Sequence, residues 1–178
     1  MTMRINLRNA AAMLLLTAPF AAQAASHLRV SLTRESSLTQ DGTAIITVTI
    51  ANDGDEPGYV YRPESPFGRT DDEPASDFLE VKDSSGNLVP YVGSRGHWGP
   101  MEIDHFLSIA PGQSVTKRVD IARSYAFGPG GVFTVRYTTI QRMPPIPELH
   151  RNRTTHERLE SSELLITVDR PGERHQVH

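Results

Sequence analysis

Apolar and polar residues alternate in two runs near the start of the chain, at 28–32 and at 43–50. A period of two places every second side chain on the same face of a β-strand. The second run is β-branched almost throughout, and β-branched side chains suit the pleated surface of a sheet. The pattern therefore predicts two strands, with Ile46, Val48 and Ile50 of the second strand facing a hydrophobic core.

The clearest structural signal begins with another alternating run at 78–82. A cluster of turn-forming residues follows at 83–87, in which Gly86 is free to adopt a positive φ. An apolar run then resumes at 88–92, so the whole segment predicts a β-hairpin. Because Pro90 has no amide hydrogen, we expect the second strand to lie at a sheet edge or to break there.

Five further runs of strand-like composition are separated by turn-forming residues. The segment 62–76 has no usable period and predicts a long irregular connection, whereas 122–131 predicts a single helical turn. No longer helix is indicated. The chain is therefore expected to be all-β, an immunoglobulin-like antiparallel β-sandwich of about eight strands, with a small barrel as the alternative. The five further runs are 59–61, 106–109, 115–121, 132–140 and 163–168.

The N-terminal residues have the features of a secretory signal peptide. Arg4 and Arg8 form a basic region, and an apolar run at 10–18 is too short to span a bilayer. Small residues precede the expected cleavage position, after Ala24 or one residue later. We therefore expect a signal peptide at 1–24, a periplasmic or secreted protein, and no membrane attachment after cleavage.

The rest of the sequence suits one folded domain, expected at 25–170, with a polar tail at 171–178. The chain of 178 residues has 18 Lys and Arg against 21 Asp and Glu, a net charge of -3 at pH 7. A mildly acidic protein is a poor candidate for binding nucleic acid or an anionic membrane. The sequence contains no Cys, so an exported domain has to be stabilised by burial and not by disulfides.

The histidines are the starting point for any enzymatic interpretation. His156 and Glu157 begin like the zinc-protease helix motif, but Glu160 stands where the second His is required. His97 and His105 could hold a metal together with nearby carboxylates, although loop histidines without fixed spacing are more often solvated. No Ser lies in a nucleophile elbow, and there is no Cys for thiol chemistry. The sequence therefore predicts that the protein is not an enzyme and needs no cofactor.

Two loops are candidates for partner recognition. Residues 93–101 carry the only Trp of the chain, and an aromatic in a glycine-rich loop can anchor an interface or fold back as a lid on the core. Residues 141–161 combine a proline-rich stretch, which lowers the entropy lost on binding, with arginines, although a solvated loop is the commoner explanation. The predicted partner-binding residues are Arg95, His97, Trp98, Met101, Met143, Ile146, Arg151 and Arg153.

Short motifs run along the chain in a characteristic order: Asn52 with 55–57, 65–67, 79–81, 86–93, Arg95, Pro100, 106–114, 119–121, Tyr125, 131–137, and 159–162 with Val168. Taken together, they resemble the N-terminal propeptide of bacterial deuterolysin-like (aspzincin, peptidyl-Lys type) metalloendopeptidases. The resemblance covers about residues 28–169, and it implies the same β-sandwich.

In those proteases a catalytic domain follows the propeptide, and a His-Glu-x-x-His helix and a Gly-Thr-x-Asp segment supply its zinc ligands. Neither motif occurs in this sequence, which ends at His178, where that domain would begin. The resemblance therefore implies a propeptide without its protease. Such a protein would be an exported binding module, a stand-alone inhibitor or folding chaperone of a zinc metalloendopeptidase.

Other interpretations stay open beside this one. One is a periplasmic immunoglobulin-like structural or interaction domain with no protease partner, since fold does not fix function. Another is an immunoglobulin-like proteinase inhibitor unrelated to propeptides. A third is a metal-dependent enzyme built on the loop histidines.

Overall fold

The computed structural model describes residues 27–35, 44–146 and 158–168. Within these residues the chain forms nine strands and three short 3₁₀ turns. No helix in this part of the chain combines the length and the apolar character needed to cross a membrane. The strands are β1 (Leu28–Arg34), β2 (Ile45–Asn52), β3 (Gly58–Tyr61), β4 (Leu79–Asp83), β5 (Phe106–Ile109), β6 (Ser114–Asp120), β7 (Gly131–Ile140), β8 (Arg158–Glu160) and β9 (Leu164–Val168).

Strand β2 is the centre of a three-stranded sheet, with β1 on one side and β6 on the other, both antiparallel to it. Its alternation puts Ile46, Val48 and Ile50 on one face, and all three are fully buried. The opposite face is only partly buried, and the hydroxyl of Thr49 on it lies 3.0 Å from that of Thr116 in β6. The prediction of a core-facing stripe in this strand is confirmed.

Strand β7 organises the second sheet. Strand β4 pairs with one edge of β7, and β8 and β9 pair one after the other with its opposite edge, all antiparallel. Phe133, Val135 and Tyr137 of β7 point inward and are buried. The ring of Tyr137 lies 5.7 Å from that of Phe78, the residue before β4. The inner faces of the two sheets thus form one hydrophobic core.

The two sheets pack as the layers of an antiparallel β-sandwich, which confirms the predicted fold class. Strand β1 contacts β7, β8 and β9 across the layers. Strands β3 and β5 form a separate two-stranded antiparallel ladder. The expected signal peptide at 1–24 and the expected tail at 171–178 lie outside the described residues.

The hairpin expected at 78–92 forms its turn, with Gly86 at a φ of 83°, but its second strand is short. Beyond the turn, the pairing is a single bridge between Lys82 and Leu88 and a hydrogen bond from the Val89 amide to β4. Pro90 cannot donate to a ladder, and β4 takes β7 as its long partner instead. The second arm therefore breaks at Pro90, which is one of the two outcomes that the proline predicts, and Tyr91 beyond it forms an isolated bridge with Tyr125.

Strand β8 lies inside the stretch 141–161, which the sequence pattern assigns to a loop. Its one inward side chain, Leu159, packs into the core. A strand of three residues with one buried side chain offers too little periodicity to be recognised. The helical turn expected at 122–131 is an irregular turn, in which the Ser124 amide donates to the Ile121 carbonyl oxygen at 3.1 Å.

Candidate functional site

The segment 93–98, called the tryptophan loop below, lies along the irregular connection that precedes β4. The Gly96 amide donates a hydrogen bond to the Ala75 carbonyl oxygen at 3.2 Å. The Tyr91 hydroxyl donates to the Ser94 carbonyl oxygen at 2.7 Å, and its ring stands at an angle of 71° to a buried tyrosine of the core. These contacts attach the loop to the irregular connection through Gly96 and to the core through Tyr91.

Trp98 rests against His105, with the ring centroids 5.6 Å apart and the ring planes at 76°. His105 is itself held in place, because its Nδ1 accepts a hydrogen bond from the Glu102 amide at 3.3 Å. The indole also lies close to the loop backbone, since a Cβ on Gly96 would be 2.6 Å from the Trp98 Nε1. Trp98 is 39% exposed, so it is not a lid buried in the core.

The tryptophan loop forms one wall of an open cleft of about 520 Å³, called the tryptophan cleft below. Tyr61, at the end of β3, and Glu64, in the 3₁₀ turn that follows it, belong to the lining. Ser76 and Asp77, which precede β4, also line the cleft. The Ser76 hydroxyl oxygen is buried and has no hydrogen-bond partner among the residues that the structure describes. The cleft thus combines aromatic rings with carboxylates and a hydroxyl, a composition suited to binding a side chain that is both apolar and polar.

The two carboxylates of the tryptophan cleft have different partners. Arg142 donates to both oxygens of Glu64, at 2.6 and 2.8 Å, and its guanidinium lies 5.6 Å from the centre of the Tyr61 ring. Asp77 accepts a hydrogen bond from the Tyr125 hydroxyl at 2.9 Å. Burial, and then the charge of Asp77, raise the pKa of Tyr125 far above its ordinary value, so the phenol stays a donor. Within the described residues, Asp77 forms no ion pair.

A second opening, of about 300 Å³, continues from the same two carboxylates. Its far side is formed by the end of β7, including Ile140, and by Arg158 of β8. Ile140 is 48% exposed there. Because both openings are lined by Glu64 and Asp77, they form one continuous surface depression, called the groove below.

Three of the predicted partner-binding residues come together in this groove. Arg95, His97 and Trp98 all line the tryptophan cleft. The Arg95 guanidinium also lies 5.9 Å from the centre of the Tyr91 ring. Met101 follows in the same chain segment and is 37% exposed, but it does not line the cleft.

Two more of the predicted residues lie away from the groove, and the last two are not described. Met143 and Ile146 are partly buried on the segment that follows β7, and they line neither opening. Arg151 and Arg153 lie outside the described residues.

The loop histidines do not form a metal centre with the neighbouring acids. Within 27–35, 44–146 and 158–168, no group of three or more His, Asp or Glu side chains is placed to hold a metal ion. His105 contacts the rings of Trp98 and Tyr61 instead, and its Nε2 lies 4.0 Å from the nearest oxygen of Asp104. His97 is turned to the groove.

Several groove residues have no signal in the sequence pattern. Tyr61 ends a predicted strand, but Glu64, Ser76 and Asp77 belong to a stretch of prolines and acids without a period. They become a site only because that stretch meets the tryptophan loop and the end of β7. A contact between segments that are so distant in the sequence produces no local sequence pattern.

The fold and the groove together define an all-β protein with an open surface groove. No protein-family model matches the chain. The chain is 32% identical over 143 residues to Neutral protease 2 homolog MEP8 of Coccidioides posadasii (strain C735), which covers 79% of this chain and 38% of that protein. It is 27% identical over 135 residues to a Neutral protease 2 homolog of Blastomyces gilchristii (strain SLH14081), covering 75% of this chain and 36% of that protein.

These two relatives come from fungi, whereas the motif series resembles bacterial members of the same kind of protease. The chain spans 38% and 36% of their lengths, well under half in each case. The similarity therefore relates this chain to part of a protein named for protease activity.

Two solved structures are also similar over most of their length. One is a structural genomics target, 14% identical, with 85% of this chain and 92% of that chain covered and a TM-score of 0.33. The other is the yjhA protein of Bacillus subtilis, 15% identical, with 82% and 93% covered and a TM-score of 0.36. Both TM-scores are too low to support an argument about fold or function.

Proposed function

We propose that this protein is a propeptide-like binding module for a zinc metalloendopeptidase of the neutral protease 2 type, acting as an inhibitor or as a folding chaperone. The observation that carries the proposal is the 32% identity over 143 residues, 79% of this chain, to a protein named Neutral protease 2 homolog MEP8. The chain has no His-Glu-x-x-His sequence, so the shared part is not the zinc-binding helix. The ordered motifs between 52 and 168 support its assignment to the propeptide.

The exposed side chains around the tryptophan loop supply a surface of the kind that such a module needs. Trp98, Met101 and Ile103 are 39%, 37% and 51% exposed within one stretch of chain. Aromatic and apolar side chains on a backbone that is already held in place bury area at small entropic cost. The hydrogen bonds of Gly96 and His105 hold this backbone. We therefore assign the protease contact to this surface.

Inhibition of a purified neutral protease 2-type enzyme tests the proposal. We expect the protein to slow hydrolysis of a fluorogenic peptide in a saturable manner, with a dissociation constant of about micromolar or tighter. A zinc protease of unrelated fold serves as the specificity control. For a chaperone role, we expect the protein to raise the yield of active enzyme when the denatured protease is refolded beside it.

The absence of both effects would overturn the proposal. It would leave the alternative, a structural or interaction domain with no protease partner, which the same fold could serve.

We also propose that the protein is exported to the periplasm or secreted. The basic residues Arg4 and Arg8, the short apolar run at 10–18 and the small residues before Ala24 support this. After expression of the whole sequence in a Gram-negative host, mass spectrometry of the periplasmic fraction should show a chain that begins at Ala25 or Ser26. A protein that keeps Met1 would contradict the export proposal without affecting the binding proposal.

A further inference from the structure

The edge of β7 is open where its pairing with β4 ends. The Thr138 amide donates to the carbonyl oxygen of Phe78, the residue before β4, at 3.0 Å. On the opposite edge, the Tyr137 amide donates to the Ser161 hydroxyl at 3.0 Å. Amides of alternate residues in a strand point to the same side, so the Ile140 amide and carbonyl point away from β8. They therefore face the groove.

The segment that precedes β4 does not follow this edge as a paired strand. Continuing the register of β4 and β7 would place Ser76 opposite Ile140, but β4 begins only at Leu79. The opening of about 300 Å³ lies between Asp77 and the end of β7. The space is thus bordered by a strand edge at Ile140 whose main-chain groups have no hydrogen-bond partner among the described residues, and such an edge is the template for adding one more strand.

The polar groups at the middle of the groove indicate the chemistry of such a strand. Glu64 is already paired with Arg142, whereas Asp77 forms no ion pair within the described residues. The hydroxyl oxygen of Ser76, the preceding residue, is buried and has no partner in the described part of the chain. Both groups would accept hydrogen bonds from a cation. The middle of the groove is therefore complementary to one positively charged side chain.

The surroundings restrict this charge to one position. Arg95 lines one end of the groove and Arg158 the other, so further cations in the ligand would be repelled. The rings of Tyr61 and Trp98 line the same cleft as Asp77. They offer an apolar wall to the aliphatic stem of a lysine or arginine.

We propose that the groove binds an extended peptide segment of a partner protein, which adds to the open edge of β7 and places a single lysine or arginine beside Asp77. This inference goes beyond the proposed function, because it holds whichever protein supplies the segment. Inhibition of a protease through the exposed face of Trp98 could succeed while peptide binding fails, and the reverse also holds. The two proposals therefore have separate tests.

The probe is a fluorescein-labelled, acetylated and amidated heptapeptide, Thr-Val-Thr-Lys-Thr-Val-Thr, titrated with the full chain by fluorescence anisotropy. A peptide with Gln in place of Lys has an uncharged and shorter polar side chain at the centre, and we expect it to bind about fivefold more weakly. A peptide of seven lysines should bind no better than the Gln peptide at physiological salt, because Arg95 and Arg158 repel its outer charges. Equal binding of the Lys and Gln peptides, or tighter binding of a Glu peptide, would overturn the assignment of the central position.

Two pairs of variants locate the site. Asp77→Asn keeps an oxygen for the Tyr125 hydroxyl and should abolish the preference for Lys over Gln, whereas Glu163→Gln, an equal change of charge outside the groove, should leave it intact.

Ile140→Pro removes the amide that faces the groove and should weaken binding about fivefold or more, whereas Ile140→Ala tests the side chain alone and should change it less than twofold. Unchanged binding by both Asp77→Asn and Ile140→Pro would overturn the proposal.

A change on the ligand keeps the test valid if Ile140→Pro does not fold. N-methylation of the probe removes main-chain donors one at a time without touching the protein. Strand addition uses every second amide of the ligand, so methylation should weaken binding with a period of two along the peptide. Equal effects at successive amides would exclude strand addition.

Discussion

Trp98 owes its orientation to small and polar neighbours and not to a hydrophobic core. Its ring rests on His105 at 5.6 Å, and Gly96 leaves room for the indole where any other residue would place a Cβ. The side chain keeps 39% of its surface exposed. A residue in this position can lose its side chain with little effect on folding and still matter for binding.

Replacing Trp98 with alanine tests its role as an interface anchor. Trp98→Ala should weaken inhibition of the protease by about 2 kcal/mol, roughly thirtyfold, because it removes a large preorganised apolar surface. The thermal midpoint should stay nearly unchanged, and His97→Ala should weaken inhibition less. A lower midpoint with inhibition intact would show that Trp98 is a structural residue, and the anchor would then be sought between Met143 and Arg153.

The glycines on either side of Trp98 allow a matched test of ring orientation. In Gly96→Ala the new Cβ would lie 2.6 Å from the indole Nε1, so the ring has to move. We expect a shift in tryptophan emission and about a fivefold loss of inhibition, with a stability change below about 1 kcal/mol. Gly99→Ala is the control, since among the described residues, its two chain neighbours aside, no atom lies within 4 Å of its new Cβ. Equal emission spectra in the two variants would show that Gly96 does not set the ring orientation.

At the scale of the elements, Asn52 connects three parts of the sandwich. It ends β2, is fully buried, and donates from Nδ2 to the carbonyl oxygens of Glu56 and Ile109 at 2.7 and 2.9 Å. Its Oδ1 accepts from the amides of Gly54 and His27 at 3.1 and 3.3 Å. One side chain thus satisfies backbone groups of the β2–β3 loop, of β5 and of the residue before β1.

Removing this amide should be costly. Asn52→Ala should lower the free energy of unfolding by about 3 kcal/mol, because the Ile109 carbonyl oxygen and other buried groups lose their partner. Urea unfolding followed by circular dichroism measures the change. Asn87→Ala is the control: its exposed amide hydrogen-bonds only the Asp83 carboxylate among the described side chains, and the cost should stay below about 1 kcal/mol. A loss below about 1 kcal/mol in Asn52→Ala would contradict the connecting role.

For the whole molecule, the core contains two tyrosines whose ionisation is tied to folding. Tyr137 is fully buried in the second sheet, and burial raises its pKa to about 12. Tyr125 is buried at the turn before β7, and its pKa is raised by burial and by Asp77. Both therefore favour the protonated form in the folded state.

This coupling determines how the protein responds to alkali. The pKa of tyrosine in an unfolded chain is about 10, so the stabilising contribution is complete below about pH 10 and is lost as pH rises through the folded-state value. Absorbance at 295 nm should show that two of the five tyrosines ionise only together with the loss of the near-ultraviolet circular dichroism signal. In Tyr137→Phe the free energy of unfolding should decrease less steeply as pH rises. Ionisation of all five near pH 10 with the fold intact would contradict the burial of these two side chains.

Local patterns in this sequence were sufficient where a strand was long enough to show alternation, and β8, with three residues, was not. The alternation at 43–50 identified β2 and its inward residues, and Pro90 indicated why the second arm of the hairpin would be weak. Only part of the candidate site could be predicted from the sequence. Arg95, His97 and Trp98 stand out because an aromatic and charged cluster between glycines is a local feature.

The sequence by itself therefore determined the all-β class, most strand positions and one wall of the groove, since period-two alternation and turn residues act over a few neighbouring positions. Only the tertiary structure decided that β8 and β9 share one edge of β7, that Asp77 receives the Tyr125 hydroxyl, and that Ile140 faces an open space. Each of these depends on segments that are distant along the chain, such as Ser76 and Ile140, which lie 64 positions apart and face each other when the register of β4 and β7 is extended. Such contacts depend on how whole sheets pack against each other, and this packing produces no local sequence pattern that would predict it.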